Sequence, residues 1–96
     1  MQVAIHHTIN DTRKWEQTKQ RVMSKIQSGT LPAGLKPVLL IPGTNHKITF
    51  CVWEADSIEA VKKFIDAESG SAARNEYFEV DTQNAMGLPE TSKAGV

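Results

Sequence analysis

The stretch His46–Asp66 reads HKITFCVWEADSIEAVKKFID, and its period changes in the middle. Ile48, Phe50 and Val52 alternate with Thr49, Cys51 and Trp53, the two-residue period of a strand. From Ile58 onward, Ile58, Val61, Phe64 and Ile65 recur at the spacing of one helix face. Between the two lies Asp56-Ser57-Ile58-Glu59, which reads as a capping box. Asp56 is expected to accept from the backbone N–H near Glu59, and Glu59 to reach back to the N–H of the cap residue. A strand running through a capping box into an amphipathic helix is a βα unit, and the rest of the chain is read outward from it.

Upstream, the four-residue apolar run Val38–Ile41 is too short for a helix and is closed by Pro42-Gly43. It reads as a strand buried on both faces, joined through the turn Gly43-Thr44-Asn45 to the strand from about His46 to Glu54. Further back, Gln2–Ile9 alternates and is rich in β-branched residues, a third strand. Asn10, Asp11 and Thr12 then offer capping oxygens. The helix they start carries Trp15, Val22, Met23 and Ile26 as its apolar stripe, thin at Thr18 and Lys19, and stops at Gly29 with Pro32 beyond. Downstream, Ser69-Gly70-Ser71 ends the second helix, and Asn75 to Asp81 reads as a last strand. From Thr82 on the chain is polar and small-residue rich apart from Met86 and Leu88. The organisation expected is one α+β domain over 1–81 and a C-terminal tail over 82–96.

The order β-α-β-β-α-β with short loops is the split βαβ pattern. Right-handed crossovers put both helices on one face of a four-stranded antiparallel sheet, with the first and third strands central. Collecting the most apolar alternates assigns Val3, Ile5, Ile9, Ile48, Phe50, Val52, Phe78 and Val80 to the helix side. The other face is then expected to carry Ala4, His6, Thr8, Thr49, Cys51, Trp53, Tyr77 and Glu79, with Leu39 and Ile41 or Val38 and Leu40. Two helices cannot cover that face. A second copy of the sheet packed on it about a twofold axis is the simplest remedy, the alternative being the tail folded back through Met86 and Leu88.

With 96 residues there is room for one compact domain, and 40% hydrophobic content argues against disorder. No apolar run is long enough to span a membrane, and no basic segment followed by an apolar one marks a secretory signal. A single cysteine, Cys51, cannot form an internal disulfide, so a reducing, cytoplasmic setting is expected. Charge is balanced overall but unevenly placed. Through position 50, seven basic residues (Arg13, Lys14, Lys19, Arg21, Lys25, Lys36, Lys47) face only Asp11 and Glu16. Beyond it nine acids, from Glu54 to Glu90, face Lys62, Lys63, Arg74 and Lys93. Without an arginine-rich cluster or interleaved aromatics, this reads as solvated faces with complementary charge between subunits.

The element order resembles the dimeric α+β barrel superfamily, ferredoxin-like domains whose sheets pair into a barrel. The resemblance is carried by Leu35–Glu68, centred on Phe50-Cys51-Val52-Trp53-Glu54-Ala55-Asp56-Ser57, and by the strand Asn75–Val80. The chain looks like the small members of that group with no assigned activity. The group also includes cofactor-free antibiotic-biosynthesis monooxygenases, heme-degrading enzymes and decomposing peroxidases. None of their functional residues matches a position here, so the resemblance implies a fold and a homodimer, not an activity.

Residue chemistry adds an expected ligand-binding set on the uncovered face: His6, Cys51, Trp53, Tyr77 and Glu79. His6 offers an imidazole able to act as a base or a hydrogen-bond donor, and Trp53 and Tyr77 each combine a flat apolar body with one polar handle. His7, on the opposite side of the strand, reads as a hydrogen-bonded structural histidine, and Cys51 as a small buried hydrophobe. Cys51, His6, Glu79 and His46 lack metal-ligand spacing, so no metal and no cofactor are expected, and metal binding is the weakest alternative. Nucleic-acid binding is excluded: the third strand has no glycine, Phe50 is assigned to the helix side, the first strand has no aromatic, and net charge is zero. The expectation is a homodimer binding a small molecule on the non-helical sheet face. The alternative is a cofactor-independent monooxygenase-like enzyme for an aromatic molecule, using His6 with Tyr77 or Trp53.

Overall fold

The computed structural model describes residues 1–89; residues 90–96, the end of the expected tail with Glu90 and Lys93, lie outside the described residues. The chain runs β1 (Gln2–Ile9), α1 (Thr12–Ser28), β2 (Lys36–Pro42), β3 (Ile48–Glu54), α2 (Ile58–Ser69), a short 3-10 turn (Gly70–Ala72) and β4 (Ala73–Glu79). The four strands form one antiparallel sheet in the order β2-β3-β1-β4. Both helices contribute to the core that covers one sheet face. This is the ferredoxin-like βαββαβ arrangement, with β1 and β3 central as the crossover rule requires.

Local chemistry sets the element ends. The Asp11 side chain accepts from the Lys14 backbone N–H at 3.0 Å and caps α1. Gly29 ends it at φ 71°, a left-handed conformation that a Cβ disfavours. In α2 the cap is Ser57, which accepts from the Ala60 N–H at 3.1 Å, rather than Asp56. The cap falls on Ser57 because that residue, in extended backbone, lies directly before the first helical one, and Ala60 at the third helical position cannot return the bond that would complete a capping box. In the β2–β3 turn, the Gly43 N–H donates to the Ile48 carbonyl at 2.8 Å. A Cβ on Gly43 would stand 2.9 Å from that oxygen.

Register decides which residues share a face, because paired residues point the same way. Val3 pairs with Trp53, Ile5 with Cys51 and His7 with Thr49. On the other side of β1, Ile5 pairs with Tyr77 and His7 with Asn75. The helix-side core is therefore Val3, Ile5, Cys51, Trp53, Leu35, Ala55, Val61 and Ile65, with Val22, Ile26, Ile58, Phe64 and Tyr77 packed around it. This corrects the expected faces: Cys51, Trp53 and Tyr77 belong to the helix side, while Ile48, Phe50, Val52 and Phe78 share the open face with Ala4 and His6. Both alternating sets of β3 are apolar, so periodicity marks a strand without saying which set faces the helices.

A second correction concerns β2. It is an edge strand rather than a strand buried on both faces: Leu40 is 49% and Ile41 59% exposed. A register shift between Pro37 and Leu39 interrupts its pairing with β3. The thin middle of the α1 stripe has a purpose in the packing. Thr18 is buried and its hydroxyl lies 2.9 Å from the Lys14 carbonyl, inside α1, and 3.3 Å from that of Glu68, in α2. Beside it Arg21 Nη2 donates to the Glu68 carbonyl at 2.7 Å, and Lys25 pairs with the Glu68 carboxylate. Part of the basic character of the first half thus holds α1 to α2 within one chain.

Candidate functional site

Between α1, β2 and the helix-side face of β3 lies a cavity of about 640 Å³. Its walls are largely apolar: Val22, Met23 and Ile26 from α1, Val38, Leu39 and Leu40 from β2, and Ile65 from α2. Trp15 and Trp53, the chain's two tryptophans, both line it. Thr18 and Lys19, where the α1 stripe thins, line it too. A smaller cleft of about 410 Å³ shares Trp15, Glu16 and Lys19 with this cavity and is lined in addition by Arg13 and His46.

Two polar groups sit in the wall at the sheet, Cys51 and His7, respectively 4% and 2% exposed. Cys51 Sγ lies 2.9 Å from His7 Nε2, and His7 Nδ1 lies 2.7 Å from Asn75 Oδ1. The Asn75 amide is turned by its own donors, since Nδ2 gives hydrogen bonds to Asp66 Oδ1 at 3.0 Å and to Ser69 Oγ at 2.8 Å. Its oxygen must then face His7, so His7 carries its proton on Nδ1 and offers the Nε2 lone pair to the thiol. Tyr77 Oη completes the network by donating to the same Asp66 oxygen at 2.5 Å. Trp15 packs on the imidazole with ring centroids 4.7 Å apart.

The electrostatics follow from burial. Loss of water pushes the Cys51 thiol up to about 12, outweighing the lowering effect of Trp53. Burial also lowers His7 below its ordinary 6.5, against the raising effect of the Asn75 hydrogen bond. Asp66 goes the other way overall. Its partial burial raises it, but hydrogen bonds from Tyr77, Asn75 and Lys62 outweigh that and hold it ionised. Tyr77 is raised, first by burial and then by its bond to Asp66, so it remains a donor. The resting site is a neutral thiol, a neutral imidazole and an amide, anchored on one carboxylate.

The five residues expected to form one ligand set are divided. Cys51 and Trp53 line the cavity; Trp53 is 4% exposed and meets Phe64 edge to face at 6.0 Å. Tyr77 lies on the same side but is engaged with Asp66, under the Lys62 ammonium 5.0 Å from its ring centroid. Glu79 pairs with Val3 at the far end of β4 and is exposed. His6 is across the sheet on the open face, its ring tilted against Phe50 with centroids 4.8 Å apart, and 3.4 Å from Glu76 Oε1. His6 and Cys51 therefore share neither a pocket nor a metal, and among the described residues no three His, Cys, Asp or Glu side chains converge as metal ligands. The neighbour of Cys51 is His7, read from sequence as structural, and its supports Asn75 and Ser69 were not singled out at all.

The open face is more apolar than expected. Ile41, Phe78, Phe50 and Ile48 are 59%, 53%, 40% and 38% exposed, which makes a continuous hydrophobic surface. Met86 is 94% exposed and so does not cover it. No helix among the described residues is long and apolar enough to cross a membrane. Compared with protein-family models and with curated proteins, the chain matches none.

Proposed function

We propose that the chain is a homodimeric binding protein for a small, largely apolar molecule, an aromatic one by the character of its walls. The ligand occupies the helix-side cavity and the open faces of two copies pack together as a barrel. The observation that carries the ligand half is the cavity of about 640 Å³, within the size range of small-molecule sites and bounded by Trp15, Trp53 and aliphatic side chains. Lys19 and Glu68, which line the same cavity, favour a ligand with one polar end. What supports the dimer is the exposure of Ile41, Phe50 and Phe78 on a face that no helix among the described residues covers. A reduced, buried Cys51 suits a reducing compartment, and the cytoplasm is the proposed setting.

The test uses the two tryptophans as built-in reporters. Titration with neutral aromatic fragments is expected to change intrinsic fluorescence in a saturable way and to raise Tm. Val38→Phe, which fills the cavity from the β2 side, is expected to abolish both changes. Fragments that leave fluorescence and Tm untouched, or that act equally on Val38→Phe, would remove the ligand half of the proposal.

A further inference from the structure

Simple binding leaves the thiol–imidazole pair in the cavity wall without a use. The pair has the parts of an activated nucleophile: a thiol facing a lone pair at 2.9 Å, and a third group that fixes the base. Holding that group, Asn75, in one orientation takes two further partners, Asp66 and Ser69. We propose that Cys51, His7 and Asn75 form a covalent capture site for α,β-unsaturated carbonyl compounds that enter the cavity, with Cys51 as nucleophile, His7 as base and Asn75 as positioning residue. This rests on the reading of the cavity as the ligand site.

The step is redox-neutral and has no leaving group. The sulfur lone pair forms a bond to the β-carbon of the ligand, while the thiol proton moves to His7 Nε2. The alkene π pair shifts toward the carbonyl to give an enolate, and His7 returns the same proton to the α-carbon. The product is a thioether and a neutral imidazole, and reversal of both proton transfers releases the ligand. Because burial disfavours both the thiolate and the imidazolium, the proton moves as the S–C bond forms rather than beforehand. Acyl transfer fits the site less well. β3 is paired on both sides, so its backbone N–H groups belong to the ladder and cannot hold the concentrated charge of a tetrahedral intermediate. The charged groups around His7 are few: Asp66 and Glu68 on α2, Glu16 and Lys19 on α1, and His6 on its own strand.

The experiment compares N-phenylacrylamide with its saturated analogue N-phenylpropanamide. Intact-mass measurement is expected to find one acrylamide added to the native chain, with a rate that saturates in probe concentration and levels off with pH once His7 is neutral. Cys51→Ser is expected to take up none. His7→Ala should react about a hundredfold more slowly at neutral pH, with a rate that climbs steadily with pH as for a bare thiol. Asn75→Ala should fall between the two and keep the plateau, and it decides the matter if His7→Ala does not fold. Equal rates and equal pH profiles in the wild type and in either variant would overturn the proposal. If the saturated analogue quenches the tryptophans but no acrylamide adds, covalent capture falls and the binding reading stands. If the analogue does not bind and labelling never saturates, both fall.

Discussion

Cys51 Sγ and His7 Nε2 meet at 2.9 Å although the residues are 44 positions apart in sequence. Neither is the other's ladder partner, since Cys51 pairs with Ile5 and Thr49 with His7. They are diagonal neighbours on one face of an antiparallel pair, a distance that side chains of this length can bridge. The arrangement thus exists only in this register; a slip of one residue would send the two groups to opposite faces.

Stability is expected to depend on pH through His7. Above its ordinary 6.5 the ring is neutral whether folded or unfolded and contributes no slope. Below that value the unfolded chain takes up a proton that the buried ring resists, so stability falls as pH drops toward the lowered folded pKa. The slope is at most about 1.4 kcal/mol per pH unit for one group. Urea unfolding between pH 5 and pH 7.5 should reveal it, and His7→Gln should flatten it; an unchanged slope in the variant would contradict this. Asp66 and Glu68 act in a more acidic window, contributing above their ordinary 3.8 and 4.5 and losing that contribution as pH falls through their depressed folded values.

Asp66→Ala is expected to destabilise by about 1–3 kcal/mol, because it strands the Tyr77 hydroxyl and one Asn75 donor. The lower part of that range is expected, since the Asp66 side chain is 42% exposed and water replaces part of what is lost. Asp66→Asn, which keeps an acceptor, should recover some of it. Thermal unfolding of the two variants distinguishes these outcomes.

Phe78→Lys tests the dimer. Phe78 is 53% exposed in the single chain, so the substitution should cost the monomer little while placing a charge in the proposed interface. Light scattering should give twice 10.6 kDa for the wild type and 10.6 kDa for the variant. A monomeric wild type would refute pairing.

Helix α1 should be sensitive at both ends. Asp11→Ala removes the acceptor for the Lys14 N–H and should cost about 1 kcal/mol. Gly29→Ala places a Cβ on a backbone at φ +71°, where there is open space but the conformation itself is strained, at a cost of about 1–2 kcal/mol. Chemical denaturation reads both, and Gly29→Ala at no cost would mean that the helix end readjusts freely.

Most of the fold was legible in the sequence. The period change across Glu54–Ile58, the stop at Gly29 and the short β2–β3 turn were enough for element order and topology, because each rests on local chemistry. The faces were not legible. Ile48, Phe50 and Val52 make as good a core set as Cys51 and Trp53, since on a strand with two apolar faces alternation carries no sign. One clue was present: Ala55, 2% exposed, continues the parity of Cys51 and Trp53 just past the end of β3. Choosing the wrong parity paired Cys51 with His6 instead of His7, and that single exchange displaced the whole candidate site. Asn75 was out of reach for a different reason, as its role depends on a register between β1 and β4 that no local signal encodes.

The poor anchoring of β2 bears on how anything reaches the cavity. This strand is held by one neighbour only, carries two prolines that lack N–H donors, and is irregular between Pro37 and Leu39. It is also one wall of the cavity. Fraying of that edge would widen the mouth of the cavity, so guest exchange should quicken as β2 opens. Amide exchange along Val38–Ile41 would be the clock for it, and an occupied cavity would slow that clock first.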